Sequence, residues 1–131
     1  MTEAGTAPPR RRGRITRSGD FDTVYRRGRS AANRHLVVYA FAREDRPPGE
    51  PPRLGLSVSR KVGGAVERNR VKPLLREAFW ATATGLPAGH DFVLVARPDA
   101  GDLARAEGES GIENALRELL RDSGLAGEQA A

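Results

Sequence analysis

Residues 53–82 change from an alternating to a helical apolar pattern, and this change restricts the possible folds more than any other feature. In 53–59, apolar residues alternate with small or polar ones, as in a strand with one buried face. The apolar positions of this strand are Leu54, Leu56 and Val58. Residues 65–82 then place apolar side chains at the spacing of one buried helical stripe. These are Val71, Leu74, Leu75 and Ala78. The pattern predicts a strand that leads through a short turn into a long helix.

Further elements are predicted on both sides of this unit. A helix over about 18–27 has Ser18 as its predicted cap, an apolar stripe of Phe21, Val24 and Tyr25, and Gly28 as its stop. Strands are predicted at 35–42 and 91–97, and a last helix from the capping-box pair Ser110 and Glu113 to Gly124. Residues 99–109 are expected to be less ordered. The order α-β-β-α-β-α, with room for one extra strand, predicts a two-layer α/β sandwich.

The 131 residues are enough for one domain. Residues 1–14 contain prolines and arginines with no apolar pattern, and are predicted to be a disordered basic arm. We expect a single domain over 15–124 and a disordered tail over 125–131.

Charge is unevenly distributed along the chain. Residues 1–98 carry 19 Lys or Arg and 9 Asp or Glu, a balance of +10, whereas residues 99–131 carry 3 and 8, a balance of −5. A basic domain of this kind attracts polyanions, so nucleic acid is the leading partner class. Charge that serves only solubility is the alternative on composition alone.

Several classes of site and location are disfavoured by composition. The chain has no Cys, which excludes disulfides and thiolate metal sites, and its two isolated His, His35 and His90, disfavour a histidine zinc site. No apolar run approaches the roughly 20 residues that span a bilayer, and the N-terminal arginines precede no apolar stretch of a secretory signal. A cytoplasmic protein is expected.

The predicted long helix carries a basic face. Arg68, Lys72 and Arg76 repeat at i, i+4 and i+8, with Asn69 on the adjoining surface, and Arg60 and Lys61 precede the helix. Guanidinium forks and lysine point charges on a rigid element suit the repeated phosphates of a nucleic acid. A solvated face with Glu67 and Glu77 as local partners is the alternative. Two acids cannot neutralise the six cations, which also include Arg70.

The ordered motifs of the chain resemble the bacterial ribonuclease P protein family. Arg68-Asn69-Arg70 follows Gly-Leu-Ser-Val-Ser-Arg-Lys-Val-Gly and precedes Val-Lys-x-Leu-Leu-Arg-Glu-Ala-Phe. The likeness covers about residues 14–124. Its other motifs are Asp20-Phe21 with Val24-Tyr25, Gly28, Ala32-Asn33-Arg34, Asp91-Phe92-Val93 and Ala96-Arg97-Pro98.

The resemblance implies a fold, a role and two sets of binding residues. The fold would be like domain 2 of ribosomal protein S5, with a left-handed βαβ crossover. The protein would be the non-catalytic subunit of an endoribonuclease that removes the 5′ leader of precursor tRNA. Residues implied to bind the catalytic RNA are Arg60, Lys61, Arg68, Asn69, Arg70, Lys72 and Arg76. Residues implied to bind the leader, in a cleft between the first helix and the sheet, are Phe21, Tyr25, Tyr39 and Ser57.

The resemblance also implies partners and cofactors. The partners would be ribonuclease P RNA and precursor tRNA, with one monomeric protein for each catalytic RNA and no membrane. The protein alone would bind no cofactor, and Mg²⁺ would act with the RNA subunit. On physical grounds, aromatic faces suit unpaired bases, on which they stack. The small residues Gly55, Ser57 and Ser59 would leave the groove open.

One position departs from the family pattern. Pro73 stands where a basic residue is usual, inside the signature helix. Proline leaves the Asn69 carbonyl without its helical donor, so we expect a kink near 69–73 or a helix that restarts there.

Two other functions remain as alternatives. A protein nuclease would need clustered carboxylates or histidines, which this sequence does not suggest. A structural or ribosomal-type RNA-binding protein fits the charge but not the order of the motifs.

Overall fold

The computed structural model describes residues 13–43, 50–82 and 89–124. Along the chain these form β1 (Gly13–Arg14), α1 (Ser18–Arg27), β2 (Arg29–Ala32), β3 (Leu36–Ala42), β4 (Arg53–Val58), α2 (Ala65–Thr82), β5 (His90–Ala96) and α3 (Pro98–Ser123). The predicted tail and the arm before Gly13 lie outside the described residues. No helix in the described ranges combines the length and apolar character that a membrane span needs.

The strands form one five-stranded sheet in the order β1-β4-β5-β3-β2. β4 and β5 are parallel neighbours joined through α2, whereas β3 is antiparallel to both β5 and β2. The βαβ unit that the sequence predicts at 53–96 is therefore present, and it lies at the centre of the sheet.

The two faces of the sheet bury different sets of side chains. On one face, α2 and α3 cover β3, β4 and β5 and form the larger core. Its largest fully buried side chains include Phe79, Phe92, Leu36, Leu75 and Leu94. On the other face α1 is the one described helix that covers the sheet, with Val24 packed against Val93 and Ile15. The two-layer α/β sandwich is thus confirmed, and α1 adds partial cover on its second face.

The sheet has two short edge strands, whereas the sequence left room for one extra strand without locating it. Gly13 and Arg14, assigned to the disordered arm, form β1 beside β4, and Gly13 donates its backbone N–H to the Pro52 carbonyl. A Cβ at Gly13 would lie 2.5 Å from Arg53 Cγ, so the missing side chain permits this approach. β2 pairs with β3, although Arg29–Ala32 contains no β-branched or aromatic residue.

α1 ends near the predicted residues, but the residues at its two ends do not act as predicted. Ser18 is already inside the helix, and the N-cap is Arg17, which makes no side-chain capping hydrogen bond. Gly28 ends the helix with a φ of −79°, so it is not needed for a left-handed conformation. It is needed for space, because a Cβ there would lie 2.6 Å from the Val24 carbonyl and 2.8 Å from that of Ala40.

The expectation of reduced order over 99–109 is wrong. α3 begins at Pro98 and continues to Ser123, with a break in helical geometry only at Gly108 (φ 64°, ψ −149°). Its first half buries Ala100, Gly101 and Ala104, whose small size gives a weak apolar signal in the sequence. The predicted second half is confirmed: Ile112, Ala115, Leu116, Leu119 and Leu120 are buried, and Gly124 adopts the left-handed C-cap.

The predicted restart at Pro73 is also wrong. α2 is one helix across Ala65–Thr82, and both Pro73 and Asn69 are exposed. The carbonyl that Pro73 leaves without an amide donor therefore lies on the water-facing side of the helix. Val71, Leu75 and Ala78 are buried on the opposite side, and their packing holds the helix on both sides of the proline.

Asn33 joins the turn between β2 and β3 to α3. Its side-chain oxygen accepts hydrogen bonds from the backbone N–H groups of His35 and Leu36, and its Nδ2 donates to the Ala115 carbonyl. Arg97 Nη1 donates to the Asn33 backbone carbonyl. The Ala32-Asn33-Arg34 motif thus has a structural role.

Candidate nucleic-acid interface

Three aromatic rings form a row on the face of the sheet that α1 covers. Tyr25 of α1 and Tyr39 of β3 meet edge to face with ring centroids 5.0 Å apart, and Phe21 follows at 6.3 Å from Tyr25. Tyr25 is 37% exposed, whereas Phe21 and Tyr39 are half-buried. The row runs from β3 towards β4, so the structure brings together the three aromatics that the sequence predicts for leader binding.

Phe21 occupies the space that Gly55 leaves open. A Cβ at Gly55 would lie 2.6 Å from Phe21 Cε1 and 2.7 Å from Cζ. The sequence suggested that Gly55 would leave the groove floor open. In the structure the Phe21 ring fills that space instead.

The open floor lies in the next row of side chains across the sheet. Ser57 of β4 and Val37 of β3 are both in register with Val95 of β5, and all three are partly exposed. The neighbouring row centred on Val93 is covered by Val24 of α1, and both valines are fully buried. Ser57, Val95 and Val37, together with the rings of Tyr25 and Tyr39, define what we call the sheet groove.

An ionic cluster holds the N-terminal end of α1 on the sheet. Asp91 is 1% exposed and receives two hydrogen bonds from Arg53, from Nε at 2.9 Å and from Nη2 at 2.7 Å. Arg43 Nη1 lies 3.4 Å from Asp91 and 3.3 Å from Asp20, and Arg53 Nη2 is 3.5 Å from Asp20. The hydrogen bonds to Asp91 raise the pKa of the Arg53 guanidinium. We call these four residues the α1 clamp.

The basic residues at the start of α2 are exposed. Arg60 and Lys61 lie in the turn before the helix, and Asn69 and Arg70 lie on its outer side. Val66, on the same outer side, is 72% exposed. Within the described ranges, none of the signature cations is in ion-pair contact with a carboxylate. The alternative of an internally neutralised helix face is therefore not supported.

Arg68 is placed differently from its neighbours. It is half-buried, and its Nε has no hydrogen-bond partner among the described residues. Glu67 turns to α3, where its Oε2 lies 3.2 Å from Arg105 Nη1. Because Glu67 pairs with α3, it does not neutralise the cations of α2.

Lys72 and Arg76 face a cleft at the edge of β4 rather than the outer side of α2. The cleft has a volume of about 280 Å³. It is lined by Gly13, Arg14, Ile15, Phe21, Leu54, Leu56, Lys72, Arg76 and Trp80. The structure therefore divides the predicted basic face into an outer surface and a cleft wall.

α3 has the opposite charge. Its exposed side chains include the acids Asp102, Glu107, Glu109, Glu118 and Asp122. α3 packs beside α2 on the face of the sheet opposite α1. α2 thus carries an excess of cations and α3 an excess of anions.

The described residues contain no group of three or more His, Cys, Asp or Glu that could hold a metal ion. Asp20 and Asp91, the two carboxylates of the α1 clamp, are paired with Arg43 and Arg53. The interface of the described chain consists of aromatic rings, aliphatic side chains and cations, the kinds of group that contact bases and phosphates in nucleic-acid-binding proteins.

Comparison with known families agrees with this arrangement. The family model described as Ribonuclease P matches residues 10–120. The chain belongs to the ribonuclease P protein family. It is thereby a protein subunit of ribonuclease P, with a role in tRNA processing.

Individual ribonuclease P proteins are similar over most of their length. The ribonuclease P protein component of Bacillus velezensis is 42% identical over 108 residues, which cover 82% of this chain and 90% of that protein. That of Bacillus cereus is 36% identical over 112 residues, 86% of this chain and 91% of the relative.

Solved ribonuclease P protein structures share the fold. The Staphylococcus aureus protein superposes with a TM-score of 0.74 at 34% identity, covering 87% of this chain and 97% of that one. The Thermotoga maritima protein superposes with a TM-score of 0.68 at 27% identity, covering 80% and 92%.

Sequence reasoning missed parts of the site. Asp20 and Asp91 were noted only within family motifs, and their pairing with Arg43 and Arg53 follows from strand order rather than from local spacing. Arg14 was assigned to a disordered arm although it lines the cleft.

Proposed function

We propose that this ribonuclease P protein holds the single-stranded 5′ leader of precursor tRNA in the sheet groove and binds the catalytic RNA through the start of α2. The observation that carries the proposal is the row of Phe21, Tyr25 and Tyr39 beside a sheet face that α1 leaves partly open. Aromatic faces stack on unpaired bases with little sequence preference, as leaders of varied sequence require.

The outer surface of α2 supports the second part of the proposal. Arg60, Lys61, Asn69 and Arg70 are exposed together, with the half-buried Arg68 beside them. A rigid helix that presents unpaired cations can meet several phosphates of a folded RNA at once. Each contact releases counterions from the RNA, so the affinity falls steeply with salt.

Catalysis is indirect in this proposal. The protein screens repulsion between two RNAs and fixes the leader, while the RNA and its Mg²⁺ hydrolyse the phosphodiester. One protein monomer would act with one catalytic RNA in the cytoplasm, where transcripts are processed.

The leader contact is tested at Tyr25, the most exposed ring. Loss of one stacking contact costs about 1–3 kcal/mol, so Tyr25→Ala is expected to raise KM for a long-leader precursor by about 5- to 150-fold. Tyr25→Phe keeps the ring and serves as the matched control. The measurement is cleavage by the reconstituted protein and RNA, with precursor tRNAs whose leaders differ in length.

The proposal predicts that the effect of Tyr25→Ala disappears when the leader is one nucleotide long. Equal losses for long and short leaders would contradict leader binding in the sheet groove. Cleavage by the protein without RNA would contradict the indirect role.

A further inference from the structure

The cleft at the edge of β4 adjoins the aromatic row without belonging to the sheet groove. β1 pairs with Arg53 and Leu54, and no other strand of the described ranges lies beside β4 on that side. Leu56 and Trp80 form part of the wall that is left there, and Phe21 lines the cleft from α1. Phe21 is therefore shared by the aromatic row and the cleft.

Three cations lie around this cleft. Arg14 comes from β1, and Lys72 and Arg76 come from successive turns of α2. Among the described residues, no carboxylate forms an ion pair with any of the three. The neighbouring Arg43 and Arg53, by contrast, are paired with Asp20 and Asp91 in the α1 clamp. The charge at the cleft is thus available to an external anion.

The cleft also has an apolar lining that a phosphate alone would not use. Ile15 and Leu54 are buried, Leu56 and Phe21 are half-buried, and Trp80 is 4% exposed. The volume of about 280 Å³ lies just below the range of roughly 300–1,000 Å³ found for small-molecule sites. A small cleft that combines apolar side chains with cations suits one nucleotide, whose base would contact the apolar wall and whose phosphate would meet the cations.

Two features identify which nucleotide this is. A duplex offers mainly phosphates to a protein surface, whereas a recessed apolar wall suits a base that is not paired or stacked. Phe21 continues the row of Tyr39 and Tyr25 to the edge of β4. A single strand that lies on the row reaches the cleft without leaving the protein.

We propose that this cleft binds one unpaired nucleotide of the precursor tRNA leader, with Lys72 and Arg76 on its phosphate and Arg14 beside them. This inference rests on the proposed leader-binding function. It separates five cations of α2 and of the turn before it into two groups: Arg60, Lys61 and Arg70 face the catalytic RNA, whereas Lys72 and Arg76 face the substrate. The resemblance to the family had placed all five on the catalytic RNA.

The test couples a protein change to a single leader phosphate. Lys72→Gln/Arg76→Gln protein is assembled with the catalytic RNA, and its affinity is measured for precursor tRNAs that carry one neutral methylphosphonate linkage at successive leader positions. With unaltered protein, one linkage is expected to weaken binding about tenfold. With the double variant, the same linkage is expected to have no further effect, because its contacts are already lost.

Arg70→Gln is the matched control, since it removes a cation from the same helix but outside the cleft. It is expected to weaken assembly with the catalytic RNA for every leader, without coupling to any one leader phosphate. If the double variant instead weakens assembly and couples to no leader phosphate, the cleft does not bind the leader.

Failure of this inference can be told apart from failure of the proposed function. If Tyr25→Ala shows leader-dependent loss but no phosphate couples to Lys72 and Arg76, only the inference is overturned. If Tyr25→Ala shows no leader-dependent loss either, leader binding by the sheet groove is overturned as well.

Discussion

Single glycines determine how closely α1 approaches the sheet. Gly28 lets the end of α1 pass over the Ala40 carbonyl, and Gly55 makes room for the Phe21 ring. Neither position requires the left-handed backbone conformation that glycine permits. Both glycines lack a Cβ where α1 contacts the sheet. This lets α1 lie close to the strands and determines how near the aromatic row lies to β4.

Substitution of Gly55 by alanine tests this role. The added methyl would overlap the ring of Phe21, so Gly55→Ala is expected to lower the free energy of unfolding by about 1–3 kcal/mol. Gly19→Ala, in the same helix as Phe21 but with open space around it, is expected to raise it by about 0.5–1 kcal/mol. Urea denaturation of both variants measures the difference, and equal effects would contradict the packing argument.

At the scale of elements, the α1 clamp connects four segments that are distant in the chain. Asp20 begins α1, Arg43 follows β3, Arg53 begins β4 and Asp91 lies near the start of β5. Because the pKa of Arg53 is raised, the stability that its charge contributes is present below its unfolded pKa and is lost only as the pH rises through the folded value. The clamp is therefore not weakened by deprotonation of Arg53 in the neutral range.

The clamp is expected to position α1 rather than to hold the whole fold together. Asp20→Asn leaves the bidentate pair of Arg53 and Asp91 intact but removes the carboxylate charge that α1 contributes to the clamp. We expect the free energy of unfolding to fall by about 1 kcal/mol. Asp22→Asn makes the same change at an exposed site of the same helix. Hydrogen exchange is expected to accelerate in α1 of Asp20→Asn and to remain unchanged in α2. Uniform acceleration in both helices would contradict a local role.

At the scale of the whole molecule, α2 and α3 carry net charges of opposite sign. The signature cations lie on α2 or just before it, whereas exposed acids follow the length of α3. The molecule therefore presents one basic side to RNA and repels RNA from another, which favours a single binding orientation.

Neutralisation of α3 tests this orientation effect. Glu107→Gln/Glu109→Gln/Glu118→Gln protein is expected to bind unrelated RNA several-fold more tightly at low salt, because repulsion is removed. At an ionic strength of about 0.15 M the difference should shrink, since exposed charges are screened beyond about 8 Å. The matched Glu→Asp triple variant keeps the charge and is expected to bind like the unaltered protein. A gain that persists at high salt would contradict an electrostatic cause.

The sequence alone determined the local elements and the chemical class of the interface. Period-two alternation identified β4, runs of strand-favouring residues identified β3 and β5, and helical spacing identified α1, α2 and the second half of α3. Each of these patterns depends on neighbours within a few residues. The aromatic residues, the basic helix and the order of motifs indicated RNA binding and the family. Elements with little apolar contrast, such as β2 and the start of α3, left no comparable pattern.

Only the tertiary structure decided which distant residues meet. The order β1-β4-β5-β3-β2 brings the ends of β4 and β5 together, and this places Arg53 on Asp91. The same packing seats Phe21 on Gly55 and turns Lys72 and Arg76 towards a cleft while Arg70 stays on the outer side. Spacing along one helix cannot show what lies opposite each side chain, because that depends on how strands and helices from other parts of the chain pack around it.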